Sequence, residues 1–191
     1  MRPHLHRQRH DPTKSLVGFV VGDVHYAVPI ACVREICNPM TLVAMPRAPA
    51  AVIGVADYRG DVVPVVDVRA RFGLPPLSQT RRTKWILVGV REHFLALVVD
   101  AVTEVFGTGG QDLRPVPALG GGDDVRGIAG VTSHADTLTF VLDTRKLGEL
   151  TEPLITSGAL KSSIPPAAPS LPPSSASMAP PVLITRKPVS T

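Results

Sequence analysis

Cysteine is nearly absent from this chain: Cys32 and Cys37 are the two thiols in 191 residues. Two cysteines cannot make the disulfide framework of a small secreted domain, nor fill a tetrahedral zinc site by themselves. His4, His6 and His10 lie in a basic segment that reads as solvated, so neither a metal nor a cofactor is expected. Long apolar runs are missing too. Stretches such as Val62 to Val66 and Leu95 to Val99 fall far short of the roughly 20 residues that span a bilayer. Met1 to His10 has no apolar segment and no small-residue cleavage site, so a secretory signal is not expected. Together these absences predict a soluble, cytoplasmic protein without membrane insertion.

The net charge of +4 raises a nucleic-acid reading, and the location of the charge decides it. Residues 1–14 carry Arg2, Arg7, Arg9 and Lys14 against Asp11, and residues 151–191 carry Lys161, Arg186 and Lys187 against Glu152. The body between them is close to neutral. Basic ends on a neutral body argue against a DNA-reading domain, and no nucleic-acid partner is expected.

What is present is a Val-rich body followed by a segment of Pro, Ser and Ala. From residue 151 onward Pro165-Pro166, Pro172-Pro173 and Pro180-Pro181 recur, and few large apolar groups remain to offset ordering entropy. The composition predicts a disordered tail over 151–191 and a flexible basic segment over 1–14. The folded domain is expected over 15–150. Within it, short β-prone runs separated by Gly, Pro, Asp and Asn predict strands over 16–21, 24–29, 52–58, 62–67, 84–90, 93–99, 124–131 and 137–142. Gly22-Asp23 suits a hairpin turn. Asp67 and Asp143 are placed to cap short helical turns over 68–72 and 144–147.

The body is written twice. Phe19-Val20-Val21-Gly22 leads through Tyr26 to Val33-Arg34-Glu35-Ile36, and Ile86-Leu87-Val88-Gly89 leads through Phe94 to Val102-Thr103-Glu104-Val105. Further on, Gly54, Asp67 and Arg69 recur 76 positions later as Gly130, Asp143 and Arg145. Short strands too narrow to bury both faces alone are satisfied by closing each half into a small barrel. The expected division is one subdomain over 15–73, a linker over 74–83 containing Pro75-Pro76, and a second subdomain over 84–150. The seam between two such lobes is a natural interaction groove.

The order and spacing of several segments carry a resemblance. They are Val33-Arg34-Glu35-Ile36, Gly54-Val55-Ala56-Asp57-Tyr58-Arg59-Gly60, Val63-Pro64-Val65-Val66-Asp67-Val68-Arg69, Phe72-Gly73, and Val98-Val99-Asp100-Ala101-Val102 with Glu104-Val105. Across nearly all of 15–150 this body resembles the CheW-like domain family of chemotaxis coupling proteins. The resemblance implies a mainly β fold of two SH3-like five-stranded barrels with short helices. It also implies a non-enzymatic adaptor that joins the cytoplasmic tip of a methyl-accepting chemoreceptor to the regulatory domain of a CheA-type histidine kinase. Val33, Ile36, Val55 and Val102 are then expected near the receptor groove. Glu35 and Arg59 are expected to pair across the first barrel, the guanidinium gripping the carboxylate in two bonds, with Gly54 and Gly60 shaping the backbone. Asp57-Tyr58 replaces the Asn-Leu usual in the family, and Ala96 stands where Gly is usual, which bears on partner choice.

One enzyme reading competes. A duplicated β protein offering one Asp per half, Asp67 and Asp143, invites comparison with aspartic proteases, but each is followed by residues that suit a helix cap rather than a Thr-Gly loop. A second alternative is a barrel whose basic tails bind nucleic acid.

Overall fold

Alternation sends successive strand side chains to opposite faces, and the first two strands bury both. They are β1 (Ser15–Val21) and β2 (Val24–Pro29), joined by a turn at Gly22-Asp23 with Val21 opposite Val24. The computed structural model describes residues 14–108, 113–115 and 127–156. The basic segment 1–13, the Pro-rich segment 157–191 and the first residues of the strand expected over 124–131 lie outside these. After β2 a 3-10 turn, Ile30–Cys32, leads into β3 (Val33–Cys37). Then come β4 (Val52–Tyr58), β5 (Asp61–Asp67), α1 (Val68–Arg71), β6 (Lys84–Val90), β7 (His93–Val99) and β8 (Ala101–Gly107). The domain ends with β9 (Ile128–His134), β10 (Thr137–Leu142), α2 (Thr144–Glu149) and α3 (Glu152–Thr156).

The strands form two five-stranded sheets, ordered β8-β1-β2-β10-β9 and β3-β6-β7-β5-β4. Each sheet has one parallel pair, β2 with β10 and β5 with β7, in corresponding places. The duplication is therefore real in three dimensions, but the sequence halves are not the sheets. The boundary expected at residues 74–83 divides the repeat, whereas β6 and β7 sit at the centre of the sheet built by β3, β4 and β5. In the same way β1 and β2 sit at the centre of the sheet completed by β8, β9 and β10. Segment 74–83 joins α1 to β6 and stays with one sheet. The chain crosses between sheets at Ile30–Cys32 and at Asp100.

Burial explains the exchange. Strands apolar on both faces belong at sheet centres, and those with a polar face belong at edges. In β6, Trp85 and Leu87 point into the interior of their own sheet, with Ala56, Tyr58, Val63, Val65 and Ala96. Ile86, Val88 and Val90 point the other way, into a core shared with Val17, Phe19, Val21, Tyr26 and Val28 of the first sheet. In contrast, β3 and β8 expose Arg34, Ile36 and residues 103–105. The first sheet has its own small interior of Leu16, Ala27, Phe106 and Val141.

The hairpin alignment is corrected by the same rule. Val21 and Val24 flank the first turn as Val90 and His93 flank the second, so the repeat offset is 69 and Tyr26 matches Leu95. Pairing Tyr26 with Phe94 would put it on the wrong face, because Tyr26 faces the shared core and Phe94 packs in the sheet interior.

The end of the domain also lies further on than the composition suggests. Thr151 is fully buried, its hydroxyl donating to the Gly148 carbonyl at 2.8 Å, and Leu154 joins the shared core. Pro153 is compatible with α3 because it stands in the first turn, where its missing amide is not needed.

Candidate functional site

The expected pair forms, with one bond rather than two. Arg59 Nη2 donates to Glu35 Oε2 at 2.7 Å, and the Tyr58 hydroxyl donates to the same oxygen at 2.5 Å. The Arg59 guanidinium lies 5.1 Å from the Tyr58 ring centroid. Donation to the carboxylate raises the Tyr58 pKa above its ordinary value, so the phenol keeps its proton and remains a donor.

Local backbone sets this up. Arg59 and Gly60 both have positive φ, 56° and 91°, making the two-residue turn between β4 and β5, and Asp57 Oδ1 accepts the Gly60 amide at 2.8 Å. Asp57 thus closes the turn and presents Tyr58 and Arg59 together. Because β3 and β4 are opposite edges of their sheet, Glu35 reaching Tyr58 and Arg59 latches that sheet toward a barrel. The other sheet has its counterpart between edges β8 and β9: His134 Nε2 lies 3.2 Å from Glu104 Oε1, and its ring stacks on Phe106 at 4.1 Å.

Glu35 also borders a cleft of about 610 Å³ in the seam between the sheets. Ile36, Cys37 and Asn38 form one wall, and Ala101 and Val102 of β8 form the other. Ile36 is 40% exposed and lines the cleft together with Val102, which gives the cleft an apolar strip. Burial, and the nearby Glu35 charge, raise the Cys37 pKa and favour the protonated thiol. Arg81, Arg82 and Lys84 complete the lining.

The structure thus brings Glu35, Ile36 and Val102 together at the cleft and Asp57, Tyr58, Arg59 and Gly60 at the latch. Val33 is half-buried against the shared core at the start of β3. Val55 does not open onto the cleft: it is 7% exposed and pairs with Val43 through amide–carbonyl bonds of 2.8 and 2.9 Å. Gly54 serves that bridge, since a Cβ there would stand 2.4 Å from the Val43 carbonyl oxygen. The three cations at the cleft were not anticipated. Their signal was the dibasic Arg81-Arg82 within a segment read only as a spacer.

Asp67 and Asp143 act as caps. Asp67 accepts the amides of Arg69 and Ala70 at 2.7 and 3.4 Å, and Asp143 that of Arg145 at 2.9 Å. Among the described residues no helix is long and apolar enough to cross a membrane.

Two latched β-sheets sharing one core, with Ile36 and Val102 lining a cleft in the seam, define a protein of the paired-sheet interaction class. Residues 15–152 match the family model of the CheW-like domain. The chain belongs to the CheW-like domain family. It is 36% identical over 106 residues to a probable chemotaxis protein CheW of Rhizobium etli, covering 56% of this chain and 68% of that one. Identity to the chemotaxis protein CheW of Rhizobium meliloti is 38% over the same length, with the same coverage. Among solved structures, the scaffolding protein TtCheW of Thermoanaerobacter tengcongensis superposes with a TM-score of 0.64 at 25% identity, covering 72% of this chain and 89% of that one.

Proposed function

We propose that this protein is a cytoplasmic coupling adaptor that holds the tip of a methyl-accepting chemoreceptor and the regulatory domain of a CheA-type histidine kinase in one complex, and that it catalyses no reaction. The observation that carries the reading is the seam cleft, where Ile36 stands exposed opposite Val102 and beside the Glu35–Tyr58–Arg59 latch. A receptor helix laid across the seam would bury these apolar side chains in the manner of helix-in-groove recognition. The likeness to chemotaxis proteins supports the pathway. Against the hydrolase alternative, the two carboxylates it requires are engaged as helix caps at the ends of strands in different sheets.

Co-purification tests the reading. The wild-type chain is expected to retain both a soluble receptor-tip fragment and the kinase regulatory domain, and Ile36→Asp is expected to lose the receptor fragment while keeping the kinase. Binding of neither partner by the wild-type chain would remove the proposal.

A further inference from the structure

The cleft is cationic as well as apolar, and the turn that carries two of its cations is closed by hydrogen bonds. Residues Thr80 to Thr83 form a closed turn: the Thr83 amide donates to the Thr80 carbonyl at 3.1 Å, the Thr80 amide to Thr83 Oγ1 at 2.9 Å, and the Arg82 amide to Thr80 Oγ1 at 3.1 Å. Lys84 Nζ then donates to the Arg81 carbonyl and to Asn38 Oδ1, both at 2.9 Å, tying the turn to the end of β3. Both acceptors are neutral, so the ammonium charge is not cancelled. Glu35 is the one carboxylate in the lining, and Arg59 already holds it. Arg81 and Arg82 are exposed, and no carboxylate of the described residues lies within ion-pair distance of either. The backbone of this turn is thus ordered before a partner arrives, which leaves the two guanidinium side chains to be placed on binding.

We propose that the occupant of the cleft is a helix whose apolar row covers Ile36 and Val102 and whose acidic side chains meet Arg81 and Arg82. This rests on the receptor reading and adds the chemistry of the receptor segment: it is acidic on the flank that faces the 80–83 turn. Charge complementarity favours this occupant over the chain's own C-terminal run Val182-Leu183-Ile184, which continues into Arg186 and Lys187 and would bring like charge to the same wall. A guanidinium pair suits carboxylates because its planar forks match their geometry.

The test measures binding of a soluble receptor-tip fragment at low and at high salt. Wild-type affinity is expected to fall as salt rises. Arg81→Glu/Arg82→Glu is expected to bind about tenfold more weakly at low salt, or worse, with the salt dependence flattened. Arg81→Lys/Arg82→Lys is expected to keep the salt dependence, because the charge stays, and to lose only the part of the affinity that the planar forks supply. Thermal unfolding of both variants checks that these exposed substitutions leave the fold intact. A double glutamate variant that binds the fragment like wild type overturns this inference alone, and loss of its retention on phosphatidylserine vesicles would then assign the cations to a lipid surface. Wild-type protein that fails to bind the fragment overturns the receptor reading together with the inference.

Discussion

At the scale of single residues, the question is whether Glu35, Tyr58 and Arg59 serve the barrel or the partner. The Arg59–Glu35 pair is largely solvated, with side chains 68% and 34% exposed, so it contributes at most about 1 kcal/mol to stability. Arg59 also sits at a φ of 56°, a left-handed conformation that costs a non-glycine residue about 1 kcal/mol. Arg59→Gly removes both terms, and they nearly cancel. The expected outcome is a melting temperature within about 4 °C of wild type, together with at least a tenfold loss of kinase or receptor binding in a pull-down titration. Binding retained at wild-type strength would leave the pair with a latch role only. The Glu35–Arg59 pairing was legible through the family resemblance. Tyr58 stands out in the sequence as a departure from the family, but its bond to Glu35 depends on the Arg59-Gly60 turn bringing ring and carboxylate together, which no linear pattern encodes.

At the scale of elements, strands with most of their residues buried were legible, the edge strand β4 over 52–58 included, whereas the more exposed edges β3 and β8 were not. Of the central strands, β2, β6 and β7 match the expected ranges to the residue, and β1 differs by one. Burial on both faces leaves them almost uniformly apolar, which is a strong signal. β3 and β8 expose charged or polar residues on one side, as edges do, and Val-Arg-Glu-Ile-Cys carries no strong strand signature. α3 escaped because Pro153 and the composition beyond it read as the start of a tail. Its worth can be measured. Leu154 is 8% exposed in the shared core, so Leu154→Ala is expected to cost about 2 kcal/mol, at the low end for a peripheral core leucine. A chain ended after Leu150 should lose at least as much, since Thr151 and its bond to Gly148 go too, while one ended after Thr156 should match the full chain in urea unfolding. Equal midpoints for both truncated chains and the full chain would show that α3 adds nothing.

At the scale of the whole molecule, exchange of hairpins makes the two sheets one cooperative unit. The sequence shows a repeat, and a repeat invites a cut between its copies, but pairing partners are chosen by burial rather than by order along the chain. Each half supplies the central hairpin of the sheet whose edges the other half builds. Asp100, at one of the crossings, reinforces the union: its Oδ2 accepts the Gly22 amide at 2.7 Å and Arg69 Nη1 at 2.5 Å, joining the turn of one sheet to the helix that follows the other. A single nick near Leu77, which is 56% exposed in the segment between the copies, therefore cuts no sheet contact. The two fragments should stay associated on a native column and unfold in one transition. Separated in denaturant and refolded alone, the fragment ending near 77 keeps β1 and β2 without β8 and β10, and β3 to β5 without the strands that bridge β3 to β5. Its apolar faces then meet water, so circular dichroism should report little β structure until the second fragment is added. Independent refolding of either fragment would mean that each copy can close on itself, and the exchanged arrangement would no longer account for the shared core.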